Sequence, residues 1–425
     1  MEHDERALRR VVLASFIGTA IEWYDFFLYN TAAALVFDKL FFPSFEPANA
    51  TLMAFGTYSI GFFARPLGGV VFGHFGDRLG RKSMLVITLM MMGISTFCVG
   101  LVPTYATIGP AAPLLLVLLR FIQGFGVGGE WGGAVLMAAE HSPQKKRGLS
   151  ASWTQAGVPA GLLLANGVFA VTTRLTGDAF LAWGWRIPFL LGIALVGIGM
   201  FIRLKVLETP SFEKVKEKAE VSKIPILEVL RSHPRNVLLA MGARFAENTS
   251  FYLFTAWILT YVTGTLGMSK DSALHGLLAA SAFQFFTIPA YGALSDRLGR
   301  RPVYMFGAVL TALFAFPFFW LVDLRSTPAL WGALIFALAV AHSAMYGPQA
   351  AFFSELFGAK VRYSGASLGY QLASAIAGGL APIIAGALLK ATDGRPWSVA
   401  LYIIGACGIT LLSVFLATET SKSDL

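Results

Sequence analysis

The stretch Gly73-His74-Phe75-Gly76-Asp77-Arg78-Leu79-Gly80-Arg81-Lys82 and its echo Gly292-Ala293-Leu294-Ser295-Asp296-Arg297-Leu298-Gly299-Arg300-Arg301 decide how this chain is built. Each follows a long apolar run, and the two lie 219 residues apart. Two further pairs repeat at nearly the same offset. Glu140 stands seven residues before Arg147, and Glu355 seven before Arg362, at an offset of 215. Gln155 is echoed by Gln371 at 216. Three pairs at nearly one offset predict two parallel halves of like construction.

Outward from these motifs the chain is mostly apolar. Of 425 residues 56% are hydrophobic and 13% charged, against roughly a quarter charged in ordinary globular chains. So few charges cannot cover a soluble protein of this size, and the apolar residues come in blocks rather than stripes. A spanning helix needs about 20 mostly apolar residues. Twelve such runs are present: 11–37, 50–73, 83–103, 112–138, 147–173, 185–206, 236–263, 272–294, 302–322, 329–353, 363–389 and 397–417. The expected fold is an all-α membrane protein with twelve transmembrane helices in two pseudo-symmetric six-helix bundles. Residues 1–206 form the first bundle, 207–234 a charged linker expected as a short surface helix plus coil, and 235–425 the second.

An even number of spans puts both ends on one side. With the ends inside, the inner segments hold 23 Lys and Arg and the outer ones 7. That asymmetry orients both termini to the cytoplasm of a bacterial-type inner membrane and accounts for the net charge of +9 without a nucleic-acid partner. The first run is too long for a signal-peptide core, carries Glu22 and Asp25, and has no small-residue cleavage site after it. It reads as a retained first span. Cys98 and Cys407 sit far apart in apolar runs and predict neither a disulfide framework nor a metal site, and the six histidines have no HExxH-like spacing. No catalytic triad or cofactor motif is present, and Gly80-Arg81-Lys82-Ser83 lacks the strand and spacing of a phosphate loop. An enzyme is therefore not expected. Two six-helix halves around a midplane site are the architecture of alternating access. With no soluble domain to hydrolyse a nucleotide, the energy comes from an ion gradient or from the solute's own gradient.

The repeated element is expected in a tight cytoplasmic loop whose glycines permit the turn. Asp77, accepting from Arg81 or from a neighbouring helix, and its counterpart Asp296 read as a latch that holds one face closed, and Arg78, Arg297, Arg300, Glu140, Arg147, Glu355 and Arg362 are grouped with them as gating or structural residues. The other reading is that the basic residues only anchor topology. This loop, twice, with twelve spans resembles the major facilitator superfamily. Arg120-Phe121-Ile122-Gln123-Gly124 resembles the superfamily's second motif, whose arginine is tied to proton-coupled members. Glu22-Trp23-Tyr24-Asp25-Phe26, Gly61-Phe62-Phe63-Ala64-Arg65-Pro66-Leu67-Gly68-Gly69, Gly128-Gly129-Glu130-Trp131-Gly132-Gly133 and Gly184-Trp185-Arg186-Ile187-Pro188-Phe189-Leu190 look like the metabolite:proton symporter family. That family includes shikimate, 2-oxoglutarate, citrate and proline/betaine carriers, and the resemblance covers about residues 10 to 415.

Each charge at membrane depth costs about 2.5–3.5 kcal/mol on insertion scales and needs a partner or a wet cavity. Glu22 and Asp25 lie three apart on one face of span one. Asp25 is about 14 residues from the cytoplasmic end, roughly 21 Å deep, near the midplane. These two acids and Glu247 are the candidates for proton coupling; a structural salt bridge to Arg65 or Arg120 is the alternative for the first two. Span seven matches span one in the repeat, so Arg244, Glu247 and Asn248 are expected to face the same cavity, with Tyr252 and Tyr29. The arginine fork suits a carboxylate substrate. Arg244 and Glu247 either exchange partners, substrate taking the arginine and a proton the glutamate, or form a constant bridge. Arg120 is a substrate or relay candidate. Arg65 and Glu130 are expected to pair with each other structurally, with gating as the second role. Gln155 and Gln371 either line the cavity or join helices.

The reading is therefore a proton symporter importing a small metabolite, an organic acid of shikimate-like or di/tricarboxylate type, acting as a monomer in the lipid bilayer with no cofactor but the proton. A zwitterion carrier, a passive uniporter and a drug:proton antiporter of the same build are the alternatives. The antiporter motif is only loosely echoed by Gly157-Val158-Pro159-Ala160-Gly161. The short tail to Leu425 lacks the coiled-coil extension of the osmosensing branch.

Overall fold

The computed structural model describes residues 2–43, 47–206, 208–217 and 224–423. They form twelve long helical rods: 2–40, Pro47–Leu79, Arg81–Leu101, Ala111–Glu140, Arg147–Thr176, Arg186–Leu204, 234–265, Lys270–Leu298, Arg300–Asp323, Thr327–Glu355, Arg362–Ala391 and Trp397–Leu416. Ten of the helices are long and apolar enough to cross a membrane. The two rods outside that group are spans two and seven, which carry Arg65 and the Arg244–Glu247 pair. Phe63, Leu114, Leu313 and Trp320 are each more than 60% exposed; in a bilayer these faces meet lipid rather than water.

The described linker differs from one short helix plus coil. It holds two helices, Pro210–Glu217 and Pro225–Ser232, each opened by a proline whose missing N–H costs nothing at a first turn. Linker residues 207 and 218–223, and Leu425 at the end of the tail, lie outside the described residues.

The Asp-Arg motifs are not loops. Asp77 and Asp296 sit in the last turns of spans two and eight, which run on to Leu79 and Leu298. The whole connection to the next span is one residue in each half, Gly80 (φ 109°) and Gly299 (φ 102°). Only glycine takes that backbone freely, so the turn needs no more chain. Within each half, span one packs on five, two on four and three on six; span seven packs on eleven and twelve, eight on ten and nine on twelve. Between the halves, span two lies along eleven and span five along eight. Those two seams are equivalent under the repeat. The seams close tightly because small residues line them: a Cβ on Gly292 would collide with Ser152 across the five–eight seam.

Candidate functional site

At the basic end, the two repeated motifs build one lock twice. The carboxylate of Asp77 accepts from the backbone N–H groups of Tyr363 (3.2 Å) and Ser364 (2.9 Å), at the start of span eleven. Asp296 accepts from Gly148 (2.7 Å) and Leu149 (2.9 Å) at the start of span five. Each aspartate of one half therefore caps a helix of the other, where orphan N–H groups and the helix dipole favour an anion. Around them Arg81 lies 3.6 Å from Asp77 and 3.5 Å from Glu140, and Arg362 lies 2.9 Å from Glu140. In the second copy Arg300 reaches Asp296 (2.8 Å) and Glu355 (3.0 Å), and Arg147 reaches Glu355 (3.0 Å). Glu140 and Glu355 thus each take an arginine of the opposite half, Arg362 and Arg147. Arg78 and Arg297 point outward and are exposed, outside the latch in which the sequence grouped them, because each occupies the side of its helix turned from the seam.

A Glu-Thr dipeptide after the last span of each half completes the lock. Glu208 accepts from the Lys82 N–H (3.1 Å), and Glu419 from those of Arg300 (2.9 Å) and Arg301 (3.0 Å). Thr420 donates to Glu355 at 2.7 Å, and Thr209 bonds to Glu140. Partial burial works against ionisation of Glu419, but the N–H groups of Ser421, Arg300 and Arg301 outweigh it and hold its carboxyl below the usual range.

Deep between the halves is a small cavity of about 10 Å³, room for about one water, lined by Trp23, Val158, Arg244, Glu247, Asn248, Phe251, Tyr346 and Tyr370. All but Val158 and Trp23 come from the second half. Arg244 Nε donates to Glu247 (3.2 Å) and its Nη1 to the Tyr370 carbonyl and Ser374 hydroxyl (both 2.8 Å). Glu247 also accepts from His342 Nε2 (3.1 Å) and Gln349 Nε2 (3.2 Å). The Tyr370 ring stacks on Trp131 of the first half at 3.5 Å. Trp131 donates to Gln155 (2.8 Å), and Gln155 reaches Gln349 at 3.5 Å. A continuous polar chain thus runs from span five to Glu247. Trp23 meets Phe251 edge-on, and Phe62 meets Tyr252, across spans one, two and seven.

The description "Sugar (and other) transporter" matches residues 11–224 and "Major Facilitator Superfamily" matches residues 243–424. The chain is 43% identical over 418 residues to the shikimate transporter of Escherichia coli K12, covering 98% of this chain and 95% of that one. It is 42% identical to the inner membrane metabolite transport protein YhjE of the same organism, covering 98% and 95%. It is 35% identical to the proline/betaine transporter of Salmonella typhimurium, covering 99% and 86%. This chain belongs to the major facilitator superfamily. The proton:xylose symporter XylE, bound to 6-bromo-6-deoxy-D-glucose, shares the fold at a TM-score of 0.77 and 18% identity, covering 99% and 98%.

Within this superfamily fold the charges expected in one cavity are divided. Arg244, Glu247 and Asn248 line it. Glu22 and Asp25 do not: they face the interior of the first bundle, while Trp23 between them takes the cavity side. The equivalence of spans one and seven does not carry over side chain by side chain. Asp25 is buried against Thr96, which bonds to its carboxyl, and Arg120. Arg120 lies 4.4 Å from the Tyr29 ring centroid and contacts Gln123 at 3.4 Å, and Tyr29 donates to Thr57. Arg120 and Tyr29 are therefore core residues of the first bundle in this state. Tyr252 bonds to Arg65 rather than lining the cavity. Gln155 stands one residue back from it, and Gln371 donates to the Gly128 carbonyl at 3.1 Å, across the seam.

The expected Arg65–Glu130 pair does not form. Glu130 is paired by Arg203, at the end of span six, and accepts from Thr88 at 2.8 Å. Arg65 instead lies over the rings of Phe62 (4.6 Å), Phe26 (4.8 Å) and Trp23 (5.9 Å), a desolvated setting that suits a guanidinium. Arg203 was assignable to the linker by charge, but it lies inside the apolar run 185–206 and is 3% exposed. Sequence reasoning also passed over Trp131, His342, Gln349 and Tyr370. The signal for His342 and Gln349 was present: two polar side chains seven residues apart, on one helix face, in a mostly apolar span.

Proposed function

We propose that this chain imports a small organic acid across the inner membrane in symport with protons, by alternating exposure of the central cavity. The observation that carries the reading is Arg244, buried between the two halves at the small central cavity and balanced by a carboxylate, Glu247. A carboxylate substrate takes the guanidinium fork bidentately, and Glu247, released from it, takes a proton. Anion and proton enter together, so the buried charge is the same loaded or empty. This matters where each uncompensated charge costs several kcal/mol. Asp25 beside Arg120 supplies a second carboxyl at membrane depth. Shikimate, proline and betaine, the solutes in the relatives' names, share one carboxylate, the group that Arg244 suits.

In this reading the latched end is cytoplasmic, with both termini on that side, the proton is the only coupling ion, and the chain works as a monomer without catalysis. A zwitterion is the second reading, favoured by the rings of Trp23, Phe251, Tyr346 and Tyr370 around the ionised Glu247, which suit an ammonium group. Thermal unfolding of the purified protein with shikimate, 2-oxoglutarate, citrate, proline or glycine betaine separates the two, since a ligand of the folded state raises Tm. Organic acids are expected to raise it; a rise with betaine alone selects the zwitterion, and no rise with any of the five rejects both.

A further inference from the structure

Span ten contains one buried histidine, His342, 1% exposed. It closes the π-helical segment Phe336–His342, where the extra residue per turn rotates its side chain toward span seven. Its two ring nitrogens have different neighbours. Nδ1 lies 3.0 Å from Gln284 Nε2, and Nε2 lies 3.1 Å from Glu247 Oε1. The same Gln284 nitrogen donates to the Leu338 carbonyl at 3.0 Å. That second bond fixes the amide orientation, because the flipped amide would set two carbonyl-type oxygens against each other. Gln284 therefore presents an N–H to Nδ1, so Nδ1 carries a lone pair, and the ring proton sits on Nε2, directed at Glu247.

We propose that His342 is the positioning residue that keeps Glu247 ionised and turned to Arg244 in the empty carrier, and so sets the pH at which the carrier loads its proton. The inference rests on the proposed proton symport through Glu247. Glu247 holds three donors: Arg244 Nε, His342 Nε2 and Gln349 Nε2. Each favours the charged carboxylate. Substrate binding removes the first, leaving His342 and Gln349 to decide how readily the carboxylate accepts a proton. Because Nδ1 is occupied by a donor, the ring cannot pass a proton from one nitrogen to the other; it acts through Glu247. Around the ring stand Glu247 and Arg244 from span seven, Gln284 from span eight and Tyr346 from its own helix. Tyr304 and Tyr370, from spans nine and eleven, surround the same Arg244–Glu247 pair. The ring packs against Phe251 and Tyr346, which holds its plane.

The test is the pH profile of shikimate uptake into proteoliposomes for wild type, His342→Phe, His342→Asn and His342→Gln. Phe and Asn remove the donor at Nε2; Gln restores an N–H at about the same reach. Loss of one donor to a carboxylate favours its protonated form, so the half-maximal pH should rise by about one unit in the first two and stay within a few tenths in His342→Gln. Substrate exchange, which needs no net proton movement, verifies that each variant is folded. Unchanged profiles in exchange-competent His342→Phe and His342→Asn overturn the inference, as does a shift in His342→Gln equal to theirs. A wild type whose uptake ignores pH overturns the symport reading instead, so the two failures are distinct.

Discussion

Arg362, the first residue of span eleven, lies 2.9 Å from Glu140, the last residue of span four. The contact crosses from one half of the molecule to the other, and its repeat-related copy, Arg147 to Glu355 at 3.0 Å, crosses in the opposite sense. Both are buried, so breaking either leaves a desolvated charge unless the helices part and water enters. The latch is therefore all-or-none: opening the basic end requires both copies to release together.

Neutralising a capping aspartate tests this directly. Asp77→Asn keeps the shape but loses the charge that two backbone N–H groups and a helix dipole stabilise. Turnover is expected to slow about tenfold, equivalent to about 1.4 kcal/mol, with substrate affinity within twofold of wild type. Turnover and affinity measured together in proteoliposomes check it; normal turnover discards the latch.

At the cavity, Arg244→Lys replaces a planar fork with a point charge and abandons the bonds to Tyr370 and Ser374. The apparent KM for a carboxylate substrate should rise about tenfold or more, while protein yield and Tm stay close to wild type. An unchanged KM removes Arg244 from substrate recognition.

Asp25→Asn removes a buried carboxyl that sits beside Thr96 and Arg120. Uphill accumulation driven by a pH difference is expected to disappear and exchange of internal for external substrate to persist. Radiolabelled uptake and counterflow on the same vesicles decide it, and full accumulation by the variant takes Asp25 out of the coupling.

Glu419 gives a pH signature of its own. Its carboxyl is held below the ordinary value of 4.5. The stability it contributes is therefore complete above that value and lost as pH falls through the lower folded-state value. The protection factors of the Arg300 and Arg301 amides, exchange rates divided into their intrinsic values, should fall below about pH 4.5 in wild type and be low at neutral pH in Glu419→Gln. Protection that ignores both changes removes Glu419 as the cap of span nine.

The twelve spans, the twofold repeat and the importance of the Asp77 and Asp296 motifs were legible because each rests on local composition or on a spacing within the chain. The partner choices were not. Glu140 and Arg147, like Glu355 and Arg362, are neighbours in sequence, yet each glutamate takes an arginine of the opposite half, because opposing helix ends meet across the seam. Arg65–Glu130 looked like a pair by depth alone. Arg203, at the end of span six, takes Glu130, and Arg65 settles over aromatic rings. Asp25 and Glu22 share a helix face as expected, but the rotation of span one, set by packing against span five, turns that face into the bundle. His342 and Gln349 were visible as a polar pair in span ten, but their partner Glu247 was not, because it lies in another span, far away along the chain.

The most direct measurement of the central claim is substrate-coupled proton entry into proteoliposomes holding a pH dye and no initial gradient. With shikimate added outside, the account predicts acidification of the lumen that tracks uptake, and loss of both in Glu247→Gln. Uptake of shikimate, or of any other organic acid or betaine, with no proton entering would contradict it.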